Sequence, residues 1–178
     1  MDDFGERNGE GQQFVTLEKF GYDDAEYEII KVWRDKGMSE GLDVSLRGKR
    51  VLLVEDNDIN AEVVQAMLEA KEIMVEIVHD GEGAVDCFEK AAPGYYDAIL
   101  MDIEMPVMSG VEASKVIRNL HKQDAMNIPI ISVTANPIFE NVFLARKYGM
   151  DDYIGKPIEA DALYQVLKKW FDKFSKKS

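Results

Sequence analysis

From residue 49 onward, apolar and polar positions alternate between two regular patterns. Lys49–Val54 (KRVLLV) is a continuous apolar run, the kind that forms a strand buried on both faces. Asp58 to Ala70 carries Ile59, Val63, Val64, Met67 and Leu68 at helical spacing. Met74–Val78 (MVEIV) reads as a second strand, and Asp80 as the N-cap of a helix over Glu82–Ala92 that Pro93-Gly94 ends. A third strand, Asp97–Met101 (DAILM), precedes a helix from Val111 to Leu120. A fourth, Ile130–Val133 (IISV), precedes a helix from Ile138 to Tyr148 that Gly149 stops. Tyr153-Ile154 is a short fifth strand, followed by an amphipathic helix from Ala160 to Phe174 with Leu163, Val166, Leu167, Trp170 and Phe174 on one face. Strands alternating with helices predict an α/β fold, a doubly wound parallel sheet of five strands with helices on both faces.

That architecture says which residues to inspect. In such sheets ligands bind at the carboxyl ends of the strands. Strand one ends in Glu55-Asp56, strand three in Asp102 and strand four in Thr134, and strand five is followed by Lys156-Pro157. Three carboxylates, a hydroxyl and an ammonium are thus expected along one edge. Carboxylates that close repel one another, and burying them unpaired is costly. Mg²⁺ resolves this, because it is a hard ion that takes oxygen ligands and keeps several waters. A nearby lysine then supplies a point charge suited to phosphate.

Composition narrows the classes further. The chain has 178 residues and a net charge of −13, which argues against a nucleic-acid binder and against docking on anionic membranes. The single cysteine, Cys87, excludes an intrachain disulfide and sits in an apolar helical pattern, as buried filler does. With His79 and His121 far apart, no zinc-ligand spacing exists. The polar, acidic start MDDFGERNGEGQQ is no signal peptide, and the apolar runs fall short of the ~20 residues that span a bilayer. A cytoplasmic protein is the default expectation.

VLLVEDN (51–57), ILMDIEMPVMSG (99–110), SVTAN (132–136) and DYIGKP (152–157) together resemble the receiver domain of two-component response regulators. The resemblance covers residues 49–172. It implies a flavodoxin-like sheet of order 2-1-3-4-5. It also implies that Asp102 is the phospho-acceptor, that Asp56 ligates Mg²⁺ directly, that Glu55 holds it through water, and that the backbone carbonyl of Glu104 is a third contact. Lys156 would pair with the phosphoryl group and Pro157 would follow a cis peptide. Thr134 would bond the phosphoryl group while Tyr153 swings inward, switching the surface of the fourth helix, fifth strand and fifth helix. The implied chemistry is in-line phosphoryl transfer from a sensor histidine kinase or a histidine phosphotransfer protein, in a signalling acceptor rather than an enzyme. The run Glu55–Asn60, the phrase YYDAILMDIEMPVMSG and the preceding LRGKR (46–50) look most like receivers of hybrid sensor kinases. The sequence carries no ATP-binding glycine motif and no acceptor-His helix, so a stand-alone receiver or one excised from a larger protein is expected.

Two other readings remain open. A phosphorylation-independent docking module would keep the fold without the chemistry. A phosphohydrolase of the haloacid-dehalogenase type also uses an aspartate after a strand, but it needs a second aspartate where this chain has Glu104. Residues 1–47 form an N-terminal extension with twelve acids and six bases, ahead of a receiver at 48–178. Residues 1–13 read as disordered. Tyr22–Lys36 reads as a helix with an incomplete stripe of Tyr22, Ala25, Ile29, Ile30, Val32 and Trp33, either lying on the domain or a linker remnant, or else a helix for docking or a homodimer.

Overall fold

The computed structural model describes residues 45–135 and 142–175. The strands are β1 (Arg50–Val54), β2 (Met74–Val78), β3 (Ala98–Asp102), β4 (Ile130–Thr134) and β5 (Asp152–Gly155). The helices are α1 (Asp58–Glu69), α2 (Gly81–Lys90), α3 (Gly110–Asn119), α4 (Val142–Lys147) and α5 (Ala160–Ser175). All four strand pairings are parallel, and the order is β2-β1-β3-β4-β5, as the resemblance implies. The predicted helix at Tyr22–Lys36, residues 1–44 altogether, and the first part of the predicted Ile138–Tyr148 helix lie outside the described residues.

The sheet separates two apolar layers, because successive side chains of a strand point to opposite faces. Val51, Leu53, Leu100, Ile131 and Val133 face α1 and α5, where Leu68, Leu163, Leu167 and Phe171 pack. Leu52, Val54, Ile99, Met101 and Ile130 face the other way, onto Phe88 of α2 and Ile117 of α3. β3 and β4 are buried along their whole length, which is why they read as unbroken apolar runs. Cys87 is half-buried and packs against the second layer, a filler position. Leu46 is 2% exposed and sits in the first layer, so packing against the sheet begins two residues ahead of the Gly48 boundary.

Element ends follow local chemistry. Asp80 caps α2, its Oδ1 accepting from the Gly83 N–H at 2.6 Å, as predicted. Ser109 and Glu112 form a reciprocal capping box at the start of α3. Boundaries differ from the sequence reading by one or two residues, and one difference matters: β3 runs through Asp102, so that side chain leaves from the last residue of a strand.

Candidate functional site

The carboxyl end of the sheet brings Glu55, Asp56 and Asp102 together, with one carboxylate oxygen of each within 4.8 Å of the others. Glu55 and Asp102 are buried, at 2% and 4% exposure, whereas Asp56 is exposed. Lys156 lies between the two buried acids. Its Nζ donates to Glu55 Oε2 at 2.8 Å and to Asp102 Oδ2 at 2.6 Å. The Glu104 backbone N–H donates to the other oxygen of Asp102, at 3.0 Å. Thr134 is buried at the end of β4, and its carbonyl accepts the Lys156 N–H at 2.8 Å. The Lys156–Pro157 peptide is cis. Tyr153 is half-buried in β5, in register with Ser132 of β4.

The charges and donors present fit a divalent cation. Three carboxylates and one ammonium leave a local charge of about −2, matched to a divalent ion. The donors are all hard oxygens, which suits magnesium, and exposed Asp56 gives an ion a route from solvent. Burial pushes the Asp102 carboxyl above its ordinary value of 3.8; the Lys156 ammonium and the Glu104 N–H offset only part of that, and the Glu55 charge adds to it. Burial alone would lower the Lys156 ammonium, but its two carboxylate partners outweigh that and hold it above its ordinary value.

Two residues of the site were not singled out from the sequence. Asn60 Nδ2 donates to Glu55 Oε1 at 3.0 Å, so Asn60 and Lys156 together hold both oxygens of Glu55. Its sequence signal was its place on the first turn of the helix after Glu55-Asp56. Gly110 is the second. A Cβ there would stand 2.0 Å from the Asp102 carbonyl oxygen and 2.8 Å from Met101 Cγ. A glycine opening a helix, where it is a poor helix former, was the available sign. We expect Gly110→Ala to cost about 3 kcal/mol in chemical denaturation, because the clash is with backbone and the end of β3 must move. The same shift displaces the Asp102 carboxylate.

Comparison with known proteins agrees with this geometry. The family model for the response regulator receiver domain matches residues 51–168. Hybrid signal transduction histidine kinase I of Dictyostelium discoideum is 34% identical over 141 residues, a match covering 76% of this chain and 8% of that protein. The chain thus spans a small fraction of the curated relatives it matches. Among solved structures, the receiver domain of a sensor histidine kinase from Pseudomonas aeruginosa is 38% identical with a TM-score of 0.62, covering 70% of this chain and 98% of that one, and it has a magnesium ion coordinated in its active site cleft. A chain of the Saccharomyces cerevisiae complex between the histidine phosphotransfer protein Ypd1 and the receiver domain of its downstream response regulator Ssk1 is 31% identical, with a TM-score of 0.61 over 68% of this chain and 88% of that one. The four motifs, the sheet order and the matched family model lead to one conclusion: this chain belongs to the response regulator receiver domains of two-component and phosphorelay signalling.

Proposed function

We propose that Asp102 accepts a phosphoryl group from a phosphohistidine, carried by a sensor histidine kinase or a histidine phosphotransfer protein, in a magnesium-dependent step. The observation that carries this reading is the Lys156 ammonium shared between Glu55 and Asp102 beside exposed Asp56. Asp56 and Asp102 would hold the ion directly, with Glu55 through water and Glu104 through its backbone carbonyl. When bound, magnesium supplies charge neutralisation of the transferring phosphoryl group.

The chain's own residues do the rest. The Glu104 N–H and Lys156 fix the Asp102 carboxylate by both oxygens, so its approach to phosphorus is set before the donor arrives. Once the acyl phosphate forms, Lys156 pairs with the new phosphoryl oxygens, following the charge that Asp102 gives up. Thr134 donates its hydroxyl to the phosphoryl group, and Tyr153 moves into the space beside it. The altered surface is that of α4, β5 and α5, and a downstream partner reads it. The protein acts as a signalling acceptor and not as a turnover catalyst. No helix of the described residues is long and apolar enough to cross a membrane.

Incubation with phosphoramidate and intact-mass measurement test this. With magnesium we expect a gain of one phosphoryl group, lost with EDTA and lost in Asp102→Asn. No gain would return the reading to a docking module, and many turnovers on ordinary phosphomonoesters would favour a hydrolase. Asn60→Ala is expected to leave the fold intact and weaken magnesium binding about tenfold by isothermal titration, because Glu55 loses the partner that orients it.

A further inference from the structure

A groove of about 370 Å³ runs between α1 and the connection from β5 to α5. Val63, Val64 and Met67 of α1 form one wall, and Pro157 and Ile158 the other. Glu55 and Lys156 lie at its upper end, so it opens beside the acidic site. Val63 and Ile158 are only half-buried and Pro157 is exposed, which leaves the apolar walls open to a further occupant.

Where the chain joins the domain indicates what that occupant is. Leu46 is buried in the layer formed by α1 and α5, with Leu68, Ile73 and Phe171. The Gly48 N–H donates to the Glu72 carbonyl at 2.9 Å, just beyond the end of α1. Residues 1–44 are therefore tethered at the far end of the same face. Within them, Tyr22–Lys36 carries Ile29, Ile30 and Trp33 among charged neighbours. A cluster of large apolar side chains that includes an indole is seldom left in water. The reach suffices: residues 37–44, extended at ~3.4 Å each, span roughly 27 Å, against about 18 Å for the 12 residues of α1.

We propose that residues 22–36 fold back on their own domain and lay Ile29, Ile30 and Trp33 into the groove between α1 and the β5–α5 connection.

Trp33 and Trp170 are the only tryptophans, so the emission of Trp33 follows from subtracting the spectrum of Trp33→Phe from that of the full chain. No phosphodonor is needed, which keeps this test separate from that of the acceptor. We expect a blue-shifted Trp33 emission that moves to the solvent-exposed range in Ile158→Lys and in Val63→Lys, with far-ultraviolet circular dichroism unchanged in at least one of them. A solvent-like Trp33 in the unsubstituted chain overturns the proposal. So does an emission that a folded groove variant leaves unchanged. A blue shift that fades on dilution, with dimers seen by sedimentation, overturns it in favour of a second copy as the occupant.

Discussion

Replacing Lys156 with methionine is expected to lower the stability of the magnesium-free domain by about 3 kcal/mol. The Lys156 ammonium stands within 2.8 Å of both buried carboxylates. Without it, Glu55 and Asp102 face each other with no cation between them, and stranding one partner of a buried pair typically costs 3–5 kcal/mol. The low end applies because the Lys156 side chain is 22% exposed and its site is partly solvated. For a domain of this size the melting temperature falls by roughly 10 °C. The pH dependence has a definite sign. Lys156 is held above its ordinary value in the folded state, so its stabilisation is present below 10.5 and is lost as pH rises through the higher folded value. The variant lacks that contribution. Magnesium is expected to recover much of the loss by neutralising the same carboxylates, which separates an electrostatic cause from a packing one. After phosphorylation, the variant should also fail to couple the modified Asp102 to the position of Tyr153, read as partner binding that no longer responds to phosphoryl transfer.

Asp102→Asn should move stability the other way. Burial and the Glu55 charge raise the Asp102 carboxyl despite the Lys156 ammonium, so the folded state disfavours the anion. Asparagine keeps the size and the acceptor for the Glu104 N–H while removing the charge; its amide NH2 then faces the Lys156 ammonium, which turns to its remaining partner Glu55. We expect the magnesium-free variant to be more stable by about 1 kcal/mol at pH 7, a gain of roughly 3–5 °C in melting temperature. Because the folded carboxyl titrates above 3.8, the native state binds this proton more readily than the unfolded chain between those two values. The penalty carried by wild type is therefore absent below the ordinary aspartate range and grows as pH rises through the folded value. The two melting curves should converge near pH 3 and separate toward neutrality. Adding magnesium should raise wild type more than the variant. A destabilised variant at pH 7 would mean that the ion pair with Lys156 outweighs burial.

Opposite signs for two neighbouring substitutions express what the site is. Its charges are held together by the fold and against their own repulsion, as the proposed magnesium-dependent phosphoryl transfer would require. Residues kept for such chemistry commonly cost stability.

Much of this was legible in the chain itself. The strand ends named Glu55, Asp56, Asp102, Thr134 and Lys156 because a parallel sheet aligns the carboxyl ends of its strands, and the structure brings these residues to one edge. The buried strands β3 and β4 were plain as unbroken apolar runs. Asn60 was legible only as a place on the first turn after Glu55-Asp56, since helical periodicity says which face a residue takes but not which atom its amide reaches. Gly110 escaped because its constraint is an approach to the Asp102 carbonyl, a contact set by how the loop folds back. The place of Leu46 in the core was hidden for a related reason: one leucine in a polar stretch has no period.

The central claim, that Asp102 is the residue that takes the phosphoryl group, is tested most directly by locating the adduct. The protein is phosphorylated with phosphoramidate and magnesium, reduced with borohydride, and digested for peptide mass analysis. Borohydride converts an aspartyl phosphate to homoserine. The expected result is homoserine at position 102, in the peptide carrying ILMDIEMPVMSG, dependent on magnesium and absent from the EDTA control. Homoserine at Asp56 or any other aspartate, or intact aspartate at every position, would contradict the account.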